Sequence, residues 1–133
     1  MSAELERADY LPEVPPFFER DGHRYELKGD RIVRDGTEVA VLVSGGFGAG
    51  FSTWNKISPM NPLAVTAILF DRRDLLANAS EDERARMGDR DAYMGGVDDV
   101  SIHWVPVGTL FRVDEYDGAE SVEYLSDAGF TQA

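Results

Sequence analysis

The chain has 133 residues, 43% of them hydrophobic, no cysteine and a formal net charge of −12. That length fits one domain with a real core, and the missing cysteines exclude disulfides, a thiolate metal site and a cysteine nucleophile. The charge is uneven, about −4 over residues 1–22, about zero over 23–88 and about −8 over 89–133, so no basic face is at hand for direct nucleic-acid binding.

Residues 1–22 read as an acidic, proline-bearing N-terminal arm, and 23–133 as a single domain. Leu11-Pro12-Glu13-Val14-Pro15-Pro16-Phe17-Phe18 cannot be helical through its prolines, so the arm is expected to be extended, with Phe17 and Phe18 docking on the body or on a neighbouring subunit. The arm lacks the basic start and apolar core of a signal peptide. No apolar run reaches the length of a membrane span. The expectation is a cytoplasmic protein with no membrane partner.

His23 to Lys28 alternates and predicts a strand. Gly29-Asp30 turns the chain into a second short strand, Arg31 to Arg34, and Asp35-Gly36 is a hairpin signal. Thr37 to Ser44 is an apolar strand that feeds the densest feature of the sequence, Ser44-Gly45-Gly46-Phe47-Gly48-Ala49-Gly50-Phe51-Ser52-Thr53-Trp54-Asn55. Glycines there let a ligand approach the main chain, and successive N–H groups can form a concave anion site. Phe47, Phe51 and Trp54 offer stacking faces, and Ser52, Thr53 and Asn55 offer donors and acceptors. The spacing fits neither a Walker loop nor the dinucleotide G-x-G-x-x-G pattern. A tight, aromatic-anchored loop that binds nothing is the competing expectation.

Asn61-Pro62 predicts a helix start over Leu63 to Phe70, with strand left open by its β-branched residues. Asp71 is expected to cap a continuation, and Ser80 to Glu83 form a capping box for a short helix ending at Gly88. Arg72 and Arg73 are adjacent; either a solvated helix face or a phosphate contact would account for them. An acidic loop, Asp89 to Asp99, precedes three predicted strands: Val100 to Val105, Thr109 to Tyr116 and Ala119 to Leu125. The fold class is therefore α+β, an antiparallel sheet of hairpins and meanders with central helices packed on one face.

Catalytic chemistry has little to draw on. His23 and His103 are the only histidines, both expected as strand histidines that are solvated or satisfied. No calcium-loop spacing and no nucleophile elbow occur. The reading leans away from an enzyme and names no catalytic residue, metal or cofactor.

Two stretches together resemble a family of small, largely uncharacterised proteins of tailed phages and prophages. They are Gly46-Phe47-Gly48-Ala49-Gly50-Phe51-Ser52-Thr53-Trp54-Asn55 and the run from Ile102-His103-Trp104-Val105-Pro106 through Gly108-Thr109, Phe111-Arg112 and Glu115-Tyr116-Asp117-Gly118 to Glu120-Ser121. The match covers residues 23 to 125, with Phe51 where the family pattern has tryptophan. It implies phage origin and, with it, a non-enzymatic anti-defence role. The expected function is sequestration of a nucleotide-type small molecule by a homo-oligomer. Its ligand-binding residues would be Gly46, Phe47, Gly48, Gly50, Phe51, Ser52, Thr53, Trp54, Asn55, Arg72 and Arg73. The alternative is a protein-interaction module whose acidic surface binds a host protein, DNA mimicry included.

Overall fold

The structure is a computed structural model that describes residues 6–45, 51–53, 55–116 and 119–124. Five strands form one antiparallel sheet in chain order: β1 (Phe17–Arg20), β2 (His23–Lys28), β3 (Arg31–Arg34), β4 (Glu38–Ser44) and β5 (Val100–Pro106). Two more, β6 (Phe111–Tyr116) and β7 (Ala119–Tyr124), make a separate two-stranded ribbon. The expected C-terminal meander therefore divides, with β5 joining the first sheet and β6–β7 leaving it.

Local chemistry sets the hairpins. Asp35 and Gly36 both have positive φ, 52° and 71°, the geometry of a primed turn that matches strand twist, and with Arg34 opposite Glu38 the loop also takes in Thr37. Asp21 and Gly22 repeat the positive φ at 53° and 82°. That second turn folds part of the arm into the sheet: Phe18 pairs with Tyr25, and Arg20 with His23.

β4 is the spine, paired with β5 along its whole length from Glu38 opposite Pro106 to Ser44 opposite Val100. Its residues from Val39 to Ser44 are all buried, because both faces of the sheet are covered. On one face Phe18, Tyr25, Ile32, Ala40, Leu42 and Val100 join a core with the helices. On the other, Val33, Val39, Val41, Val43 and Val105 are buried, β7 lies against β4, and the His103 ring bonds the Tyr124 hydroxyl at 2.9 Å. This is the satisfied strand histidine the alternation suggested.

Three helices fill the long β4–β5 connection: α1 (Pro62–Leu69), α2 (Arg73–Ala77) and α3 (Glu81–Met87). In α1 the Asn61 side chain accepts from the Ala64 N–H at 3.1 Å and Pro62 occupies the first turn. Those start signals override the β-branched residues. Asp71 does not cap; at φ 57° it turns the chain, and α2 begins at Arg73 without a side-chain cap. α3 has the expected capping box, and Gly88 ends it at φ 117°.

The arm is fastened as well as paired. The Leu11 side chain is 1% exposed, its N–H donates to Glu83 at 2.7 Å, and its carbonyl accepts from Arg86 at 2.9 Å. Leu11→Ala should therefore cost about 2–4 kcal/mol, as for other buried leucines. Urea unfolding checks this; a change of a few tenths would mean that the arm packs independently of the core.

Candidate functional site

The glycine-rich stretch leaves the end of β4 and returns at Phe51. Residues 46–50 and Trp54 lie outside the described residues, so the expectations placed on Gly46, Phe47, Gly48, Gly50 and Trp54 are not addressed. Both ends of the stretch are described, and they meet on one side chain.

Glu120, from β7, inserts its carboxylate between those ends. Its Oε1 accepts from the N–H groups of Ser44 at 2.9 Å and Ser52 at 3.1 Å. Its Oε2 accepts from the Phe51 N–H at 3.2 Å, the Thr53 N–H and the Thr53 hydroxyl at 2.7 Å. Five donors thus converge on one anion. Successive N–H groups in a tight turn make a concave anion cradle, and here the anion is the protein's own. Burial pushes the Glu120 pKa up, but the bonds from Thr53, Ser44 and Ser52 outweigh it, and the net shift is downward. Glu120 is therefore held as a buried carboxylate.

The remaining side chains of the stretch face inward. Phe51 is 1% exposed and belongs to the main core, so stacking on a ligand is not open to it in this structure. The Ser52 hydroxyl donates to the Leu42 carbonyl, and Thr53 serves Glu120. Among the described residues of the stretch, these contacts are all with the protein itself.

Arg72 and Arg73 also hold protein groups. Arg72 donates to the carbonyls of Glu6 at 3.1 Å and Ala8 at 2.7 Å and pairs with Asp74 at 3.0 Å. Arg73 donates to the Val97 carbonyl at 2.7 Å. Val97 opens a single 3-10 turn, Val97–Asp99, whose last carbonyl accepts from the Gly45 N–H at 3.2 Å. One arginine thus fastens the arm, and the other braces the turn beside the start of the glycine-rich stretch.

Asn55 does what its residue type allowed, but for the main chain. Its amide N–H groups donate to the carbonyls of Phe51 at 2.9 Å and Tyr93 at 2.8 Å, and its oxygen accepts from the Tyr93 N–H at 2.7 Å. Both backbone polar groups of Tyr93 are therefore gripped, while its side chain is 47% exposed. A methyl group built on Gly95 would overlap the Tyr93 ring, so the ring lies against that glycine. Asp91, Asp98 and Asp99 in the same loop are exposed, with Arg90 the one basic residue among them.

Among the described residues no three His, Asp or Glu side chains come together to hold a metal, and no helix is long and apolar enough to cross a membrane. Comparison with protein-family models, with curated proteins and with solved structures returns no match.

The Glu120 latch has a pH signature. Because its native pKa lies below the ordinary 4.5, its stabilisation is complete above that value and is lost as pH falls through the native pKa. Glu120→Gln puts an NH2 among donors and should cost about 2–4 kcal/mol at neutral pH. The penalty should shrink as pH falls below 4.5 toward pH 3, because there the unfolded chain takes up a proton that the native carboxylate resists. Urea unfolding at both pH values is the measurement; an equal penalty at each would show that the charge plays no part.

Proposed function

We propose that this chain is a non-enzymatic protein-binding module, and that the acidic loop around Tyr93 is its contact surface. The observation that carries the proposal is the grip of Asn55 on Tyr93. A partly exposed aromatic ring, on a backbone held at both polar groups, binds a pocket without first losing conformational freedom. Tyrosines so placed are frequent energetic centres of interfaces. The carboxylates of Asp91, Asp98 and Asp99 select a partner with a basic rim. The phage resemblance makes a bacterial host protein the partner class to test.

Capture of a nucleotide-type ligand is the second proposal, with residues 46–50 and Trp54 as its remaining candidates. Among the described residues, the donors assigned to it are bonded to Glu120, Leu42, Tyr93, Asp74 and main-chain carbonyls. A phosphate would have to displace those groups, which weighs in favour of the protein-binding proposal.

Immobilised wild type should retain a stoichiometric protein from bacterial lysate and release it as salt is raised. Tyr93→Ala should weaken that complex by about thirtyfold, the effect of an interface centre of about 2 kcal/mol. Gly95→Ala should weaken it too, by displacing the ring, while leaving the unfolding midpoint nearly unchanged. Titration calorimetry with a panel of linear and cyclic nucleotides should show no heat. Nucleotide binding without a protein partner would overturn this proposal in favour of ligand capture.

A further inference from the structure

We propose that the outer edge of β6 pairs with the same edge of a second copy of the chain, joining two ribbons into one four-stranded antiparallel sheet. The surface is separate from the Tyr93 loop, and either proposal can fail without the other.

Among the described residues β6 pairs with β7 alone. A two-stranded ribbon is marginal by itself, and an open strand edge is a template for another strand. The ribbon has two distinct faces. Phe111, Val113, Val122 and Tyr124 are half-buried on the side of the main sheet, together with buried Glu120, whereas Arg112, Asp114, Tyr116 and Ser121 are exposed on the other. Tyr116 is 78% exposed, and Leu110, which continues the same outward alternation, 64%.

Symmetry limits how two such edges can meet. A two-fold axis between antiparallel strands stands perpendicular to the sheet, so each face stays on its own side and the strand centres on a residue. Centring on Arg112 would set it against its own copy, and centring on Asp114 would do the same with two carboxylates. Centring on Val113 avoids both. It puts Arg112 opposite Asp114 of the second copy, and Asp114 opposite the second copy's Arg112. It also puts Leu110 opposite Tyr116 of the second copy, again twice. The exposed apolar side chains at the two ends of this edge thereby cover each other, and opposite charges meet between them. Arg112 keeps its bond to Glu123 of β7, at 2.8 Å on the same face, so that ion pair does not have to break. Phe111 then faces Glu115 of the second copy on the inner side, without a charge conflict.

Sedimentation equilibrium up to about 100 μM, well above a micromolar Kd, should show a wild-type dimer. Asp114→Arg places two arginine pairs across the axis and should weaken the dimer about tenfold. It faces Ser121 within the ribbon, so the monomer loses no ion pair there. The triple variant R112D/D114R/E123R reverses these charges while keeping an opposite pair between β6 and β7, and should restore the dimer. The chain has no cysteine, so V113C should give a covalent dimer on mild oxidation while E115C, off the axis, stays monomeric. A wild type that remains monomeric over the whole range, a dimer indifferent to D114R, or cross-linking at E115C in place of V113C would overturn the proposal.

Discussion

One buried carboxylate ties the two ends of a glycine-rich stretch to a strand more than sixty residues later in the chain. Glu120 receives five hydrogen bonds from residues 44 and 51–53. Without that anion, four backbone N–H groups and a hydroxyl would face one another under the ribbon with nothing to accept them. Without those donors, a charge would be buried with no compensation. Each side is costly alone, so the ribbon and the end of β4 are bound to adopt this arrangement together. Among the described residues the ribbon pairs with no strand of the main sheet, and Glu120, with the His103–Tyr124 contact, secures it there.

The same logic runs through the polar residues of the central segment. Asn55, Arg72, Arg73 and Arg86 each reach a main-chain carbonyl in a segment distant in sequence or at the end of a turn. Irregular backbone exposes carbonyls that neither a helix nor a sheet satisfies, and a long connection such as residues 45–99 has many of them. Long donor side chains are a general solution. What is left facing outward is acidic, with Tyr93 standing in it, and that division shapes the functional proposal.

Much of the fold was legible from residues alone. The Asp35-Gly36 hairpin, the Asn61-Pro62 helix start and the Ser80 capping box depend on neighbours within a few positions, and all occur as the sequence indicates. Asp21-Gly22 carries the same hairpin signal as Asp35-Gly36, although the prolines before it indicate an extended arm. The pairing of Phe17 to Arg20 with β2 was readable from that dipeptide. The sequence suggests a cap at Asp71, because aspartate often is one. It took the left-handed turn instead, the other role in which aspartate is tolerated.

By itself the sequence determined the local architecture and the character of the surface: strands, turns, caps, a glycine-rich stretch and a surplus of carboxylates. These follow from short-range sterics, hydrogen bonding and composition. Tertiary structure alone decided what the anion cradle holds, because a loop of N–H groups accepts any carboxylate or phosphate and spacing does not say which. Bringing Glu120 to Ser44 requires a hairpin to fold over the far face of the sheet, 76 positions away. No periodicity encodes that encounter; it comes from burying valines on a second face that the helices leave open.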